Sequence, residues 1–151
     1  MNDNDNIGNK PAEVSGLQLF AELVTELSSS TKTNDKLQSL VDYFATARDA
    51  DKVWVIALFS GRRPRRAVNS RLMREWCLEI IDIPDWLFTE CHATVGDFSE
   101  TLALLLSEIE IVKPQNENLS YYLEKFIQIE KEDESIKKKF MMESWQQMNS
   151  K

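Results

Sequence analysis

Apolar side chains return every three or four positions in one segment after another of this chain, and a breaker or capping residue closes each segment while it is still short. From Leu17 to Leu27 they stand at 17, 20, 23, 24 and 27, the spacing that lines one face of an α-helix, with Ser15 placed to cap it. A loop of small hydroxyl residues, SSSTKT, follows. Thr33 or Asn34 then caps a second helix with Leu37, Leu40, Val41 and Phe44 on one face, ending near Ala47. Asp51 is placed to cap a third, short element, DKVWVIALF, whose apolar residues crowd all sides and so suit burial. Val53, Val55 and Ile56 also fit a strand, but the neighbours are helical and no partner strand is visible, so the pattern favours helix.

Gly61 stops that element, and Pro64 forces Arg63 towards extended geometry, which makes RRPRR a non-helical connection. Asn69 or Ser70 caps the next helix. Leu72, Met73, Trp76, Cys77 and Ile80 form its buried stripe, while Arg71, Arg74 and Glu75 take the other side. Pro84 opens a helix over Asp85 to Ala93, with Trp86, Leu87 and Cys91 turned inward, and Gly96 ends it. Asp97 and Glu100 have the D-x-x-E form of a capping box ahead of the run Leu102 to Leu106, which predicts a well-started, buried helix. After the polar break VKPQNEN, a helical face returns at Leu119, Tyr122, Leu123, Phe126 and Ile127. A last one carries Ile136, Phe140, Met141 and Trp145, with Lys137, Lys138 and Lys139 on its solvated side.

The expected fold is therefore all-α, a compact single domain of seven or eight short helices over residues 17–151, preceded by a disordered polar and acidic leader at 1–16. The 151 residues and 42% hydrophobic content suffice for one core. The chain stops at MNSK with no closing turn signal, which fits a fragment boundary at least as well as a natural terminus. No apolar run approaches the roughly 20 residues that a membrane span needs, and the first residues lack the basic and apolar regions of a secretory signal. No membrane association and a cytoplasmic location are the expectation.

Charge is distributed unevenly. The stretch Ser60 to Arg74, SGRRPRRAVNSRLMR, holds Arg62, Arg63, Arg65, Arg66, Arg71 and Arg74, six of the chain's seven arginines, and no acidic residue. Without those six, the remaining 12 basic residues stand against 25 acidic ones, a balance of −13 instead of −7. Clustering like charge opposes folding through self-repulsion, so the stretch points to an anionic partner. A solvated loop partly neutralised by Glu75, Glu79, Asp82 and Asp85 is the alternative.

Catalytic chemistry finds little material. A Ser-His-Asp or Cys-His site would have to be built on His92, the single histidine, and nothing beside it resembles an activated nucleophile. None of the four glycines precedes a Lys-Ser or Lys-Thr pair, which excludes a Walker A loop, and they stand too far apart for GxGxxG. Cys77 and Cys91 form no CxxC pair and, with His92, still lack a fourth metal ligand. The free N–H groups at the start of the Asp97 helix could hold a phosphate, or Asp97 itself could satisfy them.

Several of these segments resemble, in order and spacing, the N-terminal DNA-binding domain of bacterial ATP-dependent DNA ligases. The residues that carry the resemblance are Phe20-Ala21-Glu22-Leu23, Ser60-Gly61-Arg62-Arg63-Pro64, Arg74-Glu75-Trp76, Pro84-Asp85-Trp86-Leu87-Phe88, and Val95-Gly96-Asp97 with Glu100-Thr101. The likeness is close from Leu17 to about Leu106 and looser to Lys151. It implies an all-helical module that grips nicked duplex DNA across the minor groove, for repair, replication and recombination, near the nucleoid. A nucleotidyltransferase domain and an OB-fold domain of the same parent chain would perform the sealing. The lysine of that family's K-x-D-G motif attacks ATP, and here no glycine follows an aspartate. The chain is therefore expected not to ligate on its own, and ATP and Mg2+ are expected only for a catalytic domain outside it. By resemblance, Ser60, Gly61, Arg62, Arg63, Pro64, Arg65 and Arg66 form a phosphate-gripping loop, and Gly96 and Asp97 form a second element facing DNA; the charge cluster adds Arg71 and Arg74 to the expected DNA-binding residues. A helical adaptor whose arginine loop binds an acidic protein remains the alternative function.

Overall fold

The computed structural model describes residues 14–109 and 117–148. The expected leader lies outside the described residues up to position 13, as do positions 112–116 of the VKPQNEN break and the last three residues. Among the described residues there are eight α-helices and no strand: α1 (Gly16–Ser29), α2 (Thr33–Thr46), α3 (Asp49–Phe59), α4 (Ser70–Ile81), α5 (Asp85–Val95), α6 (Phe98–Leu106), α7 (Leu119–Ile129) and α8 (Glu134–Gln147). The all-α reading holds, and DKVWVIALF is helical. Residues 14–60 with 117–120 form one compact unit, and residues 61–109 with 121–148 form a second.

Local chemistry explains where most helices begin. Ser15 accepts the Gln18 N–H, Asn69 the Leu72 N–H and Asp97 the Glu100 N–H, at 3.1, 2.9 and 2.8 Å. Each bond satisfies a donor that the helix leaves unpaired and contributes about 1 kcal/mol. Two starts differ from expectation. Lys32, not Thr33 or Asn34, stands at the cap position of α2 and offers no side-chain bond. Arg48 stands ahead of α3, so Asp51 lies inside that helix and does not cap it.

In the first unit α1 packs against α2, and Leu23, Tyr43, Ala47, Val55 and Leu119 are buried. Asp51 is also fully buried. Its Oδ1 accepts the Ser120 N–H at 2.8 Å, a donor from the unsatisfied first turn of α7, where negative charge is favoured. The Asn118 Oδ1 in turn accepts the Gly16 N–H at 3.2 Å. A Cβ at Gly16 would collide with Asp51 Oδ2 and crowd Asn118, so the absence of a side chain there permits the junction. The α3 residues expected to be buried on all sides are so only in part: Val55 is enclosed, but Val53, Ile56 and Phe59 are exposed, as are Leu37 and Val41 of α2.

Among the described residues, the second unit buries more apolar side chains than the first. Val68, Leu72, Trp76 and Met141 form one cluster, against which Phe126, Phe140 and Trp145 pack. Cys77, Phe88 and Leu102 form another, joined by Met73, Ile81, Phe98 and Leu105. Phe126 and Phe140 meet edge-on at 5.5 Å, a favoured arrangement of ring quadrupoles. The expected inward face of α5 needs correction. Phe88 is fully buried, whereas Trp86 is 66% exposed. Residues 86 and 88 lie about 200° apart on a helix, so enclosing Phe88 turns Trp86 outward. Ile127 and Ile136 are likewise exposed.

Candidate nucleic-acid interface

The arginine stretch begins where α3 ends. Ser60 closes α3, with its hydroxyl donating to the Ala57 carbonyl at 3.1 Å. Gly61 follows at φ +83°, a left-handed conformation that costs a side-chain-bearing residue roughly 1 kcal/mol or more. A Cβ there would meet nothing within 4 Å, so backbone conformation, not crowding, favours glycine. Residues 62–66 are then irregular, as the Arg63-Pro64 step requires. Beyond them Ala67 and Val68 enter the Leu72–Trp76–Met141 cluster, and Asn69 caps α4. One end of the loop is thereby fixed in the core.

Arg62, Arg63, Arg65 and Arg66 are all exposed. Arg65, with its side chain 88% exposed, is 3.9 Å from Glu130, a distance and exposure at which an ion pair contributes little. Arg66 donates one bond, from Nη1 to Ser70 Oγ at 3.3 Å. The Arg63 backbone N–H donates to the Gly61 carbonyl at 3.1 Å, but no hydrogen bond or ion pair among the described residues involves the side chain of Arg62 or Arg63. Four guanidinium groups thus remain open to an external anion. Arg71 reaches Glu75 one turn along α4 at 3.2 Å, with both side chains more than half exposed, so it is only weakly held.

Arg74 is different. Its Nε donates to Asp85 Oδ1 at 2.9 Å, and its Nη2 donates to Thr89 Oγ1 at 2.8 Å and to the Asp85 carbonyl at 3.3 Å. The guanidinium also lies 4.8 Å from the centroid of the Phe88 ring, a cation–π distance. Expected on the free side of α4, Arg74 instead braces α4 against α5. The pairing spans eleven residues of sequence, and no helical period announces it.

Gly96 also has φ +83°, as the left-handed residue that closes α5, with its N–H donating to the His92 carbonyl at 2.8 Å. Asp97 occupies the start of α6 with its own carboxylate, and its carbonyl accepts the Thr101 hydroxyl at 2.6 Å. Of the two outcomes open for this helix start, self-capping is the one present. Neither Gly96 nor Asp97 is linked by hydrogen bond or ion pair to any of the arginines.

Residues 17–151 match the family described as DNA ligase N terminus. The chain belongs to that family. It is the N-terminal helical domain of an ATP-dependent DNA ligase, a ligase-associated DNA-binding module, and DNA is its partner. No curated protein and no solved structure matches it. Within this ligase domain no group of three or more His, Cys, Asp or Glu among the described residues could hold a metal ion, and no described helix is long and apolar enough to cross a membrane. Cys77 is buried in the core, and burial pushes its thiol up to about 11, so it is an inert packing group.

Proposed function

We propose that this ligase domain grips nicked duplex DNA without sequence preference, through the phosphates, using the loop of Arg62, Arg63, Arg65 and Arg66. The observation that carries the reading is that these four exposed guanidiniums have almost no internal partners, while the segment immediately after them is pinned in the core. A guanidinium fork engages phosphate oxygens bidentately, and a fixed loop loses less entropy on binding than a mobile one. Contacts to phosphate carry no base information, which suits a protein that must act at any nick. Ser60 and Gly61 shape the start of the loop, and Arg71 adds a weakly held charge beside it. Arg74 acts through position, by holding α4 to α5. Gly96 and Asp97 are left out of the grip, because a capped helix start bearing a carboxylate repels phosphate. In this reading sealing falls to nucleotidyltransferase and OB-fold domains of the parent ligase, which also bring ATP and Mg2+.

The test is a titration against nicked duplex at several salt concentrations. Each phosphate contact contributes about 0.9 to the slope of log affinity on log salt, so replacing the four loop arginines by glutamine should lower the slope by up to about 3.6 and weaken binding on the order of 10³-fold at 0.1 M salt. A flat salt response in the unaltered chain, or an unchanged slope in the variant, overturns the assignment. Comparison of nicked with intact duplex of the same sequence then tests the nick preference.

A further inference from the structure

Between α5 and α6 the second unit carries an open groove of about 300 Å³, lined by Cys91, Val95, Leu104 and Leu105 on its apolar side and by Glu90 at its rim. That volume stands at the small end of the ~300–1,000 Å³ range of binding sites. Leu104, a large aliphatic residue on the groove wall, is 54% exposed. Trp86 is exposed one turn before Glu90 on α5, and Glu100 stands one turn before Leu104 on α6, so each helix presents an apolar residue and an acid at spacing four. Exposed tryptophan and leucine beside an apolar groove are typical of surfaces that bind a partner.

The local charge selects the partner. From Glu75 to Ile109 the sequence contains eight acidic residues and neither lysine nor arginine. Asp85 is paired with Arg74 and Glu79 with Lys138. Glu90, Asp97, Glu100 and Glu108 form no ion pair among the described residues. A phosphate backbone is repelled here, whereas a cationic segment gains both the apolar floor and the uncompensated acids.

We infer that the α5–α6 groove docks a basic amphipathic helix of a partner protein, with aliphatic residues at i, i+3 or i+4, and i+7 entering beside Leu104 and lysines or arginines meeting Glu90 and Glu100. This is the helix-in-groove mode of recognition, with apolar anchors for affinity and rim charge for orientation. None of the groove's lining residues belongs to the arginine loop.

The probe is a synthetic leucine–lysine amphipathic helix of about 15 residues, the length at which a helix becomes marginally stable in water, alongside its leucine–glutamate counterpart. Binding is read by calorimetry and by intrinsic tryptophan fluorescence. The lysine peptide should bind and the glutamate peptide should not. Leu104→Glu makes the chain more acidic, so general charge attraction would strengthen binding, whereas loss of the groove wall should weaken it at least 10-fold. Leu104 is exposed, and circular dichroism will verify that the variant folds. Glu90→Lys should weaken binding several-fold, while Glu132→Lys, the same charge change on an exposed residue away from the groove, should leave it unchanged. The inference is overturned if Leu104→Glu binds the lysine peptide as well as the unaltered chain, or if the Glu90 and Glu132 variants behave alike. Concentration-dependent dimerisation abolished by Leu104→Glu would assign the groove to a second copy of the chain instead.

Discussion

The two compact units of this domain stabilise themselves by different means. The first is arranged around a buried carboxylate: Asp51 accepts the Ser120 N–H across a sequence separation of 69, and the buried Tyr43 hydroxyl and Asp51 Oδ2 have no hydrogen-bond partner among the described residues. Its helices leave Leu37, Val41, Val53, Ile56 and Phe59 exposed. The second unit, by contrast, encloses Trp76, Phe88, Leu102 and Met141 in apolar clusters and carries all six clustered arginines. Like charges repel one another and strain the segment that holds them. Their placement beside the more extensive apolar interior, with Val68 fixed in it, supplies a base that non-directional burial keeps firm. A polar junction such as that at Asp51 is directional and fails when a single partner is lost.

The contrast is sharpest for truncations. Phe88→Ala should destabilise the chain by about 3–5 kcal/mol through lost burial and the cavity left behind. Asp51→Ala removes fewer atoms but strands the half-buried Ser120 N–H, and should cost about 1–3 kcal/mol. Thermal denaturation of both variants checks the order, and an Asp51 variant as unstable as the Phe88 variant would erase the distinction between the units.

Within the second unit, Arg74→Gln should cost about 1–2 kcal/mol of stability by releasing α5 from α4, the pair being partly solvent-screened. The salt slope for duplex binding should not change. If the slope falls by about 0.9, Arg74 also touches phosphate and belongs with the loop.

Alkaline titration separates the units by their ionisable core groups. Burial, and secondarily the charge of Asp51, pushes the Tyr43 phenol from its ordinary value of 10.0 up to about 12. Burial pushes the Cys77 thiol from 9.0 up to about 11. Both groups are neutral when protonated and have folded-state values above their unfolded ones. Their contributions are therefore complete below the unfolded values and are lost as pH rises through the folded ones. The stability of the second unit should begin to fall near pH 9 and that of the first near pH 10, at about 1.4 kcal/mol per pH unit for each group. Chemical denaturation between pH 8 and 11 measures the slopes, and Cys77→Ala and Tyr43→Phe should each remove one of them.

The smallest expected effect is a gain. Asp82 closes α4 in the left-handed region, with φ 52°, where an aspartate is tolerated but strained. Asp82→Gly should add up to about 1 kcal/mol, visible as a small rise in Tm.

Much of this architecture is written locally. A period of 3.6 residues and a hydroxyl, amide or carboxylate at the right offset suffice to start α1, α4 and α6 at Ser15, Asn69 and Asp97, because capping involves only residues within one turn. Gly61 and Pro64 mark the arginine loop for the same reason, since φ preferences belong to single residues. The cluster of arginines is likewise a fact of sequence.

Period alone does not say which part of an apolar face is covered. On α5 it turned Trp86, Leu87 and Cys91 inward and passed over Phe88, and only the packing of α4 and α6 decides that Phe88 is enclosed and Trp86 exposed. The apolar residues of α3 point to all sides, yet of them only Val55 is fully enclosed. Asp51 has the position of a helix cap by sequence and becomes a buried acceptor because Ser120 is brought to it. Of the six arginines that looked equivalent, tertiary contact takes Arg74 for bracing and leaves the four loop guanidiniums open. Capping and periodicity are set by neighbours along the chain, so the sequence determined the helices and the location of the positive charge. Burial and pairing depend on groups distant in sequence, so only the tertiary structure decided which charges are free to bind.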